Sequence, residues 1–328
     1  MMTSRRALLA ASAAAPLLPV GASAQARWQM ATPYPDGNFH TRNIRAFLEE
    51  VQTATQGRVQ VQVHSNGSLL PMAQIKGGVQ RGQVQLGEIL ISAYGNEDPF
   101  FEVDGIPQLV TTYAEARRLN EASRPFIEAR LQRQGLSSLY IVPWPPSGFY
   151  TNTPVESLEA LRGSRFRTFN VMTNRFATLI GANPVLVQAA EVPQAFATGV
   201  VNAMVTSAAT GVDSSAWDFS RIFTPVGFTF TRNVVFVNRR AFEALSAADQ
   251  QAIRTAAANA ERRGWEMSEQ AKTAAEQALA QRGMTVAQPT PQLLEAMSRI
   301  SEEMVREWLG RAGEDGARVI QTYRAARS

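Results

Sequence analysis

The side chains suited to covalent or metal chemistry are scarce in this sequence. Cysteine is absent, which excludes thiol nucleophiles, disulfides and Cys-ligated zinc or iron–sulfur centres. His40 and His64 are the only histidines, and no metal-binding spacing relates them. Of 32 basic residues only Lys76 and Lys272 are lysines, and neither closes a phosphate-binding glycine loop. Neither a G-x-S-x-G elbow nor an H-E-x-x-H pair occurs. The acidic stretch Glu97-Asp98 to Glu102 and Asp104 offers oxygen ligands for a cation, but it lacks EF-hand spacing and reads as a solvated loop. His40 reads as a helix-start cap or a water-facing ring. What is left is arginine, whose planar guanidinium holds carboxylates by two parallel charge-assisted bonds; that is binding chemistry, not bond-breaking. Taken alone, any single arginine reads as a surface ion pair.

The elements that would position such groups follow from periodicity. Apolar Ile44, Phe47, Leu48 and Val51 form one helical stripe within Thr41–Gln56, stopped by Gly57. Val59 to His64 alternates strictly and predicts a half-buried strand. A helix around Met72–Arg81, a glycine at 82 and a strand over Val84–Ile89 complete a β-α-β-α-β order, which implies a parallel sheet covered by helices. Asp98–Gln108 reads as loop, Tyr113–Gln134 as a polar helix, Leu139–Val142 as a strand and Pro143–Pro146 as a rigid aromatic loop. A second series follows: strands at Arg165–Thr168, Pro184–Val187, Asn202–Thr206 and Val234–Val237, with helices at Thr173–Ile180 and Val192–Thr198 between the first three. From Ala247 to Arg282 there is no proline and only Gly264, so one very long helix is expected. Helices at Pro291–Leu309 and Asp315–Ala326 end the chain. Val79–Leu86 and Phe196–Ala203 echo each other as helix end, glycine stop and buried strand; two similar lobes would explain it, and so would chance, since that sequence of elements is common. Such lobes bind ligands between them, beyond the carboxyl ends of the strands.

Length and composition agree with a soluble two-lobed product. The chain has 328 residues, with 45% hydrophobic and 18% charged, enough apolar material for full cores. Net charge is +4, and +2 once Arg5 and Arg6 are set aside; no basic run interleaves with aromatics, so nucleic acid is not an expected partner. Residues 1–24 read as a signal peptide. Arg5-Arg6 supply the positive start, Ala7–Val20 the apolar core, and Ala22-Ser23-Ala24 the small-x-small site, with cleavage near Ala24. A general secretory signal and a twin-arginine signal fit equally. Export to the periplasm follows. The expected division is 25–145 mainly lobe 1, 146–238 mainly lobe 2, and 239–328 a helical region that bridges and completes both.

The informative stretch is Ser157 to Ala203. Leu161-Arg162-Gly163 is followed by a strand containing Arg167, then Asn170, Thr173-Asn174, Gly181-Ala182-Asn183-Pro184, Glu191-Val192-Pro193-Gln194-Ala195 and Gly199-Val200-Val201-Asn202-Ala203. This ordered series, with Gly57-Arg58-Val59 and Gln80-Arg81-Gly82 upstream, resembles the DctP family of TRAP (tripartite ATP-independent periplasmic) transporter solute-binding proteins. The resemblance covers essentially the whole mature chain; Asn202-Ala203 departs from the family's usual Asp-Gly.

The resemblance implies an α/β, two-lobed periplasmic-binding-protein fold with a ligand cleft between lobes and a long C-terminal helical region. It implies a receptor that captures a small organic acid and delivers it to TRAP membrane subunits, with no cofactor, no metal and no catalytic residue. Arg167 takes the position of the family's carboxylate-binding arginine; Arg162 and Arg165 are expected to face solvent. Some family members carry a second arginine on the preceding strand. The matching Ser147-Gly148-Phe149-Tyr150-Thr151 has none, which favours a monocarboxylate (aromatic, 2-oxo or hydroxy acid) over C4-dicarboxylates or sialic acid. Phe169, Trp144, Tyr94 and Phe39 are candidates for an aromatic wall, and Asn170, Thr206, Ser207 and Asn233 for orienting the ligand's other end. The competing readings are an exported α/β enzyme acting on a carboxylate and a ligand-sensing module.

Overall fold

The computed structural model describes residues 25–325. The export segment therefore lies outside the described residues. In chain order the elements are β1 (Ala26–Ala31), α1 (Phe39–Ala54), β2 (Val59–His64), α2 (Met72–Gln80), β3 (Leu86–Leu90), α3 (Tyr113–Arg133), β4 (Leu136–Pro143), β5 (Ser147–Thr151), β6 (Arg165–Thr168), α4 (Val171–Leu179), β7 (Asn183–Leu186), α5 (Val192–Ala197), β8 (Ala203–Ser207), α6 (Ala208–Asp213), β9 (Ile222–Thr224), β10 (Arg232–Asn238), α7 (Arg239–Glu243), α8 (Ala247–Gln281), β11 (Thr285–Val286) and α9 (Pro291–Ala325). Two sheets result, β2-β1-β3-β10-β4 and β11-β9-β5-β8-β6-β7.

The expected parallel pairing holds for β1, β2 and β3, but both sheets are mixed once the remaining strands join. β1 pairs in parallel with β2 and β3, whereas β10 runs antiparallel to β3 and β4. In the second sheet β6 is parallel to β7 and β8, and β5 is antiparallel to β8 and β9. The cause is a double crossover. The chain leaves the first sheet after β4 to start β5, and returns from β9 to insert β10 between β3 and β4. β10 thus belongs to the first lobe, although it falls within 146–238. Its seven residues are all buried, as a strand covered on both faces requires.

The echoed helix–glycine–strand units are real structural counterparts. α2 runs to Gly82 (φ +73°) and into β3, and α5 runs to Gly199 (φ +70°) and into β8. Left-handed backbone at both stops is where glycine costs least.

The crossing segments lie side by side: the Trp144 amide donates to Thr231 O, Ser147 N to Thr229 O, and Phe228 N to Ser147 O. α8 backs both lobes, packing on α1 and β4 of one and α6 and β11 of the other. Gly264 permits this. A Cβ there would stand 2.4 Å from Val142 and 2.7 Å from Asn43, so only glycine lets the helix lie this close to β4. Trp265 next to it donates its indole N–H to Ile141 O at 3.0 Å. The two expected terminal helices form α9, broken at Gly313, where φ is +64°.

One expectation is overturned outright. Asp98–Gln108 is not a solvated loop; Pro99–Gly105 is a 3-10 helix, and Glu102 and Asp104 are 1% and 2% exposed. Each has an arginine partner from far along the chain, Glu102 with Arg311 and Asp104 with Arg232 at 3.0 Å. Spacing along the chain cannot show such partners.

Candidate functional site

Where the carboxyl ends of β1, β3, β4, β6, β7 and β8 converge, the lobes enclose a hollow of about 430 Å³, its mouth included. Arg167 forms its floor from β6, beside Phe169. Thr206, Ser207 and Thr210 come from the β8–α6 junction, Ser147 from β5, and Gln188 and Ala189 from beyond β7. The opposite wall is Tyr34, Met72, Leu90, Trp144 and Thr231.

Arg167 is 2% exposed. Its Nε donates to Val187 O at 2.9 Å, its Nη1 makes a long contact to Val205 O at 3.5 Å, and its guanidinium lies 5.1 Å from the Phe169 ring centre. The carbonyls hold the group in position without neutralising it. No carboxylate pairs with it among the described residues. Burial pulls its pKa down to about 10, with the Tyr34 hydroxyl opposing, so it remains a cation at neutral pH. A buried, unpaired cation at the floor of an aromatic hollow is a preformed demand for an anion. Arg162 and Arg165 are exposed.

The structure distributes the remaining candidates in three groups. Trp144, Phe169, Thr206 and Ser207 join Arg167 around the hollow, with Ser207 also capping α6 by accepting from the Thr210 amide at 3.1 Å. Phe39 and Asn233 stand behind the wall. Phe39 packs edge-on against Trp144 at 5.5 Å, and Asn233 Oδ1 accepts the Trp144 indole N–H at 2.9 Å. Tyr94 and Asn170 lie beside the hollow, at the seam between lobes. Tyr94 donates to Met72 O; Asn170 caps α4 through the Thr173 amide at 2.8 Å and donates to Ser92 Oγ at 2.9 Å across the seam. A second bond across the seam joins Asn38 Nδ2 to Asp213 Oδ2 at 2.6 Å. These bonds describe lobes closed on each other.

Sequence reasoning passed over Tyr34, which follows β1 between two prolines, and Glu88, a lone acid inside the fully buried β3. Polar residues within an apolar strand are the signal that was available. Glu88 is 1% exposed; it accepts from Thr32 Oγ1 at 2.6 Å and Asn233 Nδ2 at 2.9 Å, with His40 Nδ1 at 3.4 Å. His40 therefore neither caps α1, which Asn38 does, nor meets water.

Burial lifts the Glu88 pKa to about 7. The folded state then holds a proton that the unfolded chain releases above about pH 4.5. Stability contributed through Glu88 falls as pH rises from about 4.5 to 7 and is level beyond. Buried His40, shifted well below its usual range, acts oppositely, costing stability below about pH 6.5. Subtracting a Glu88→Gln variant separates the two. Urea melts should show the variant matching the wild type near pH 4.5 and exceeding it by about 3 kcal/mol above pH 7. A pH-independent difference would contradict the assignment.

A hollow between two mixed α/β lobes, closed over one uncompensated cation, is the architecture of a solute-binding protein. The chain belongs to the DctP family, bacterial extracellular solute-binding protein family 7, whose model matches residues 30–311; these are TRAP transport receptors. Among solved structures, the Bordetella pertussis receptor DctP7, which binds pyroglutamic acid, is 44% identical, covering 91% of this chain and 99% of its own, with a TM-score of 0.90. Bordetella pertussis DctP6, also a receptor binding pyroglutamic acid, is 37% identical over the same shares, with a TM-score of 0.90. A marine-metagenome TRAP protein specific for pyroglutamate is 33% identical, covering 92% and 99%, with a TM-score of 0.89.

Proposed function

We propose that this chain is a periplasmic receptor that captures a small monocarboxylate, pyroglutamate or a close relative, and hands it unchanged to TRAP membrane subunits. The unpaired, buried Arg167 is the observation that carries this reading. Around it the hollow adds rings, hydroxyls and the Gln188 amide but no second cation among the described residues, which matches one carboxylate on an otherwise neutral body. The three pyroglutamate-binding relatives support the same choice.

Nothing lining the hollow pairs a nucleophile with a base among the described residues, and the Ser207 oxygen is engaged as a helix cap. This favours a receptor over an exported enzyme. Closure about the paired crossing segments would be the working motion. Micromolar capture requires about −8 kcal/mol, within the reach of one desolvated ion pair and ring burial.

A thermal-shift series tests the proposal with L-pyroglutamate, lactate, pyruvate, benzoate, succinate and sialic acid. Pyroglutamate should stabilise most, by about 2.7 kcal/mol at 100 times its dissociation constant, and be recovered intact. Stabilisation by succinate or sialic acid alone, or by none of the acids, would overturn it.

A further inference from the structure

We propose that Tyr34 recognises an N–H donor on the body of the ligand, and that Glu88 is the positioning residue that makes Tyr34 an acceptor. This rests on the reading of the hollow as a monocarboxylate site and specifies what the rest of the molecule must offer.

The argument is a count of protons. The Trp144 indole nitrogen can only donate, and it donates to Asn233 Oδ1 at 2.9 Å. Glu88 accepts from Asn233 Nδ2 at 2.9 Å, and its other oxygen accepts from Thr32 at 2.6 Å. With a donor on one side and an acceptor on the other, the Asn233 amide has one orientation. Its Oδ1 then also faces Tyr34 Oη, at 3.3 Å, so the Tyr34 proton points to Asn233. The whole relay is buried, with Asn233 and Glu88 each 1% exposed and Tyr34 5%.

Tyr34 and Arg167 both line the hollow. With its proton committed to Asn233, the Tyr34 oxygen has only lone pairs to offer, and the Trp144 indole N–H lies within reach of one of them. The hydroxyls of Thr206, Thr210 and Ser147 can turn to donate or accept; Tyr34 cannot. The fixed polarity of the hollow is therefore a cation that donates and an oxygen that accepts. The complementary ligand has a carboxylate with an N–H close by, the pattern of a lactam nitrogen on the carbon that bears the carboxylate. An otherwise equal lactone would set its ring oxygen against Tyr34 Oη, lone pair to lone pair.

The experiment is calorimetric titration with L-pyroglutamate and with its lactone counterpart, 5-oxotetrahydrofuran-2-carboxylate. The wild type should prefer the lactam by about 100-fold or more. Tyr34→Phe keeps the ring and loses the acceptor; its preference should drop to within a few-fold, through weaker lactam binding. Glu88→Leu removes one of the two groups that orient Asn233, leaving only the Trp144 indole, and should lower the preference in part. Glu88→Gln, whose carbonyl still accepts from Asn233, should retain it. A loss of affinity for both acids alike in Glu88→Leu would mark a merely structural role. Should Glu88→Leu not fold, Tyr34→Phe and Glu88→Gln still decide.

An unchanged preference in Tyr34→Phe, with both acids still dependent on Arg167, would overturn this inference and leave the proposed function standing. Loss of the preference in Glu88→Gln would overturn the positioning role of Glu88. Binding of neither acid by the wild type would overturn both readings.

Discussion

Arg167→Ala is expected to weaken capture of the cognate acid by about 1,000-fold or more, to the edge of calorimetric detection. The side chain supplies the only cation in the hollow among the described residues, and its loss leaves a ligand carboxylate to be desolvated without a partner. The same substitution should not destabilise the empty protein. It removes a buried charge whose existing partners, the Val187 and Val205 carbonyls, do not neutralise it, so the thermal midpoint without ligand should equal or exceed that of the wild type. Arg167→Lys should also bind poorly, because an ammonium cannot reproduce a two-pronged contact. Titration calorimetry beside unliganded melts tests the pair of statements. Near-normal affinity in Arg167→Ala would dismiss the carboxylate role, and a marked fall in the unliganded midpoint would mean that the arginine is structural.

Asp104→Ala is expected to produce the largest stability loss, about 3–5 kcal/mol. Asp104 Oδ2 accepts from both the backbone amide and Nε of Arg232, whose Nη1 donates to Asn120 and Ser123 at 2.9 Å. Arg232 is 1% exposed and stands where the chain re-enters the first sheet. Removing the aspartate strands that cation under the crossing segment. The double variant Asp104→Leu with Arg232→Met should recover much of the loss, since apolar pairs often replace buried ion pairs at little cost. Urea unfolding of the single and double variants measures both; a double variant no more stable than Asp104→Ala would refute the stranded-charge account.

These two arginines show where sequence reasoning stops. Arg167 and Arg232 both sit on buried strands, and both are almost wholly enclosed. One meets a carboxylate that lies 128 positions earlier in the chain, and the other meets none among the described residues. That difference separates an internal strut from a binding group, and no local pattern contains it. For Arg167 the ordered family motifs stood in for the missing geometry. Tyr34 and Glu88 have no such motif, and their roles emerge only from Asn233 on β10 and Thr32 just past β1.

Periodicity, glycine stops and composition by themselves determined much of the element order, the long helix from Ala247 and the kind of chemistry available, and they pointed to the two echoed units, because burial period, backbone freedom and side-chain type are local properties. The tertiary structure alone decided that β10 returns to the first sheet, that Glu102 and Asp104 are buried partners, and that Asn233 supports the wall from behind. Strand order, charge pairing and hydrogen-bond direction depend on groups far apart in the chain, brought together only when the lobes fold and close.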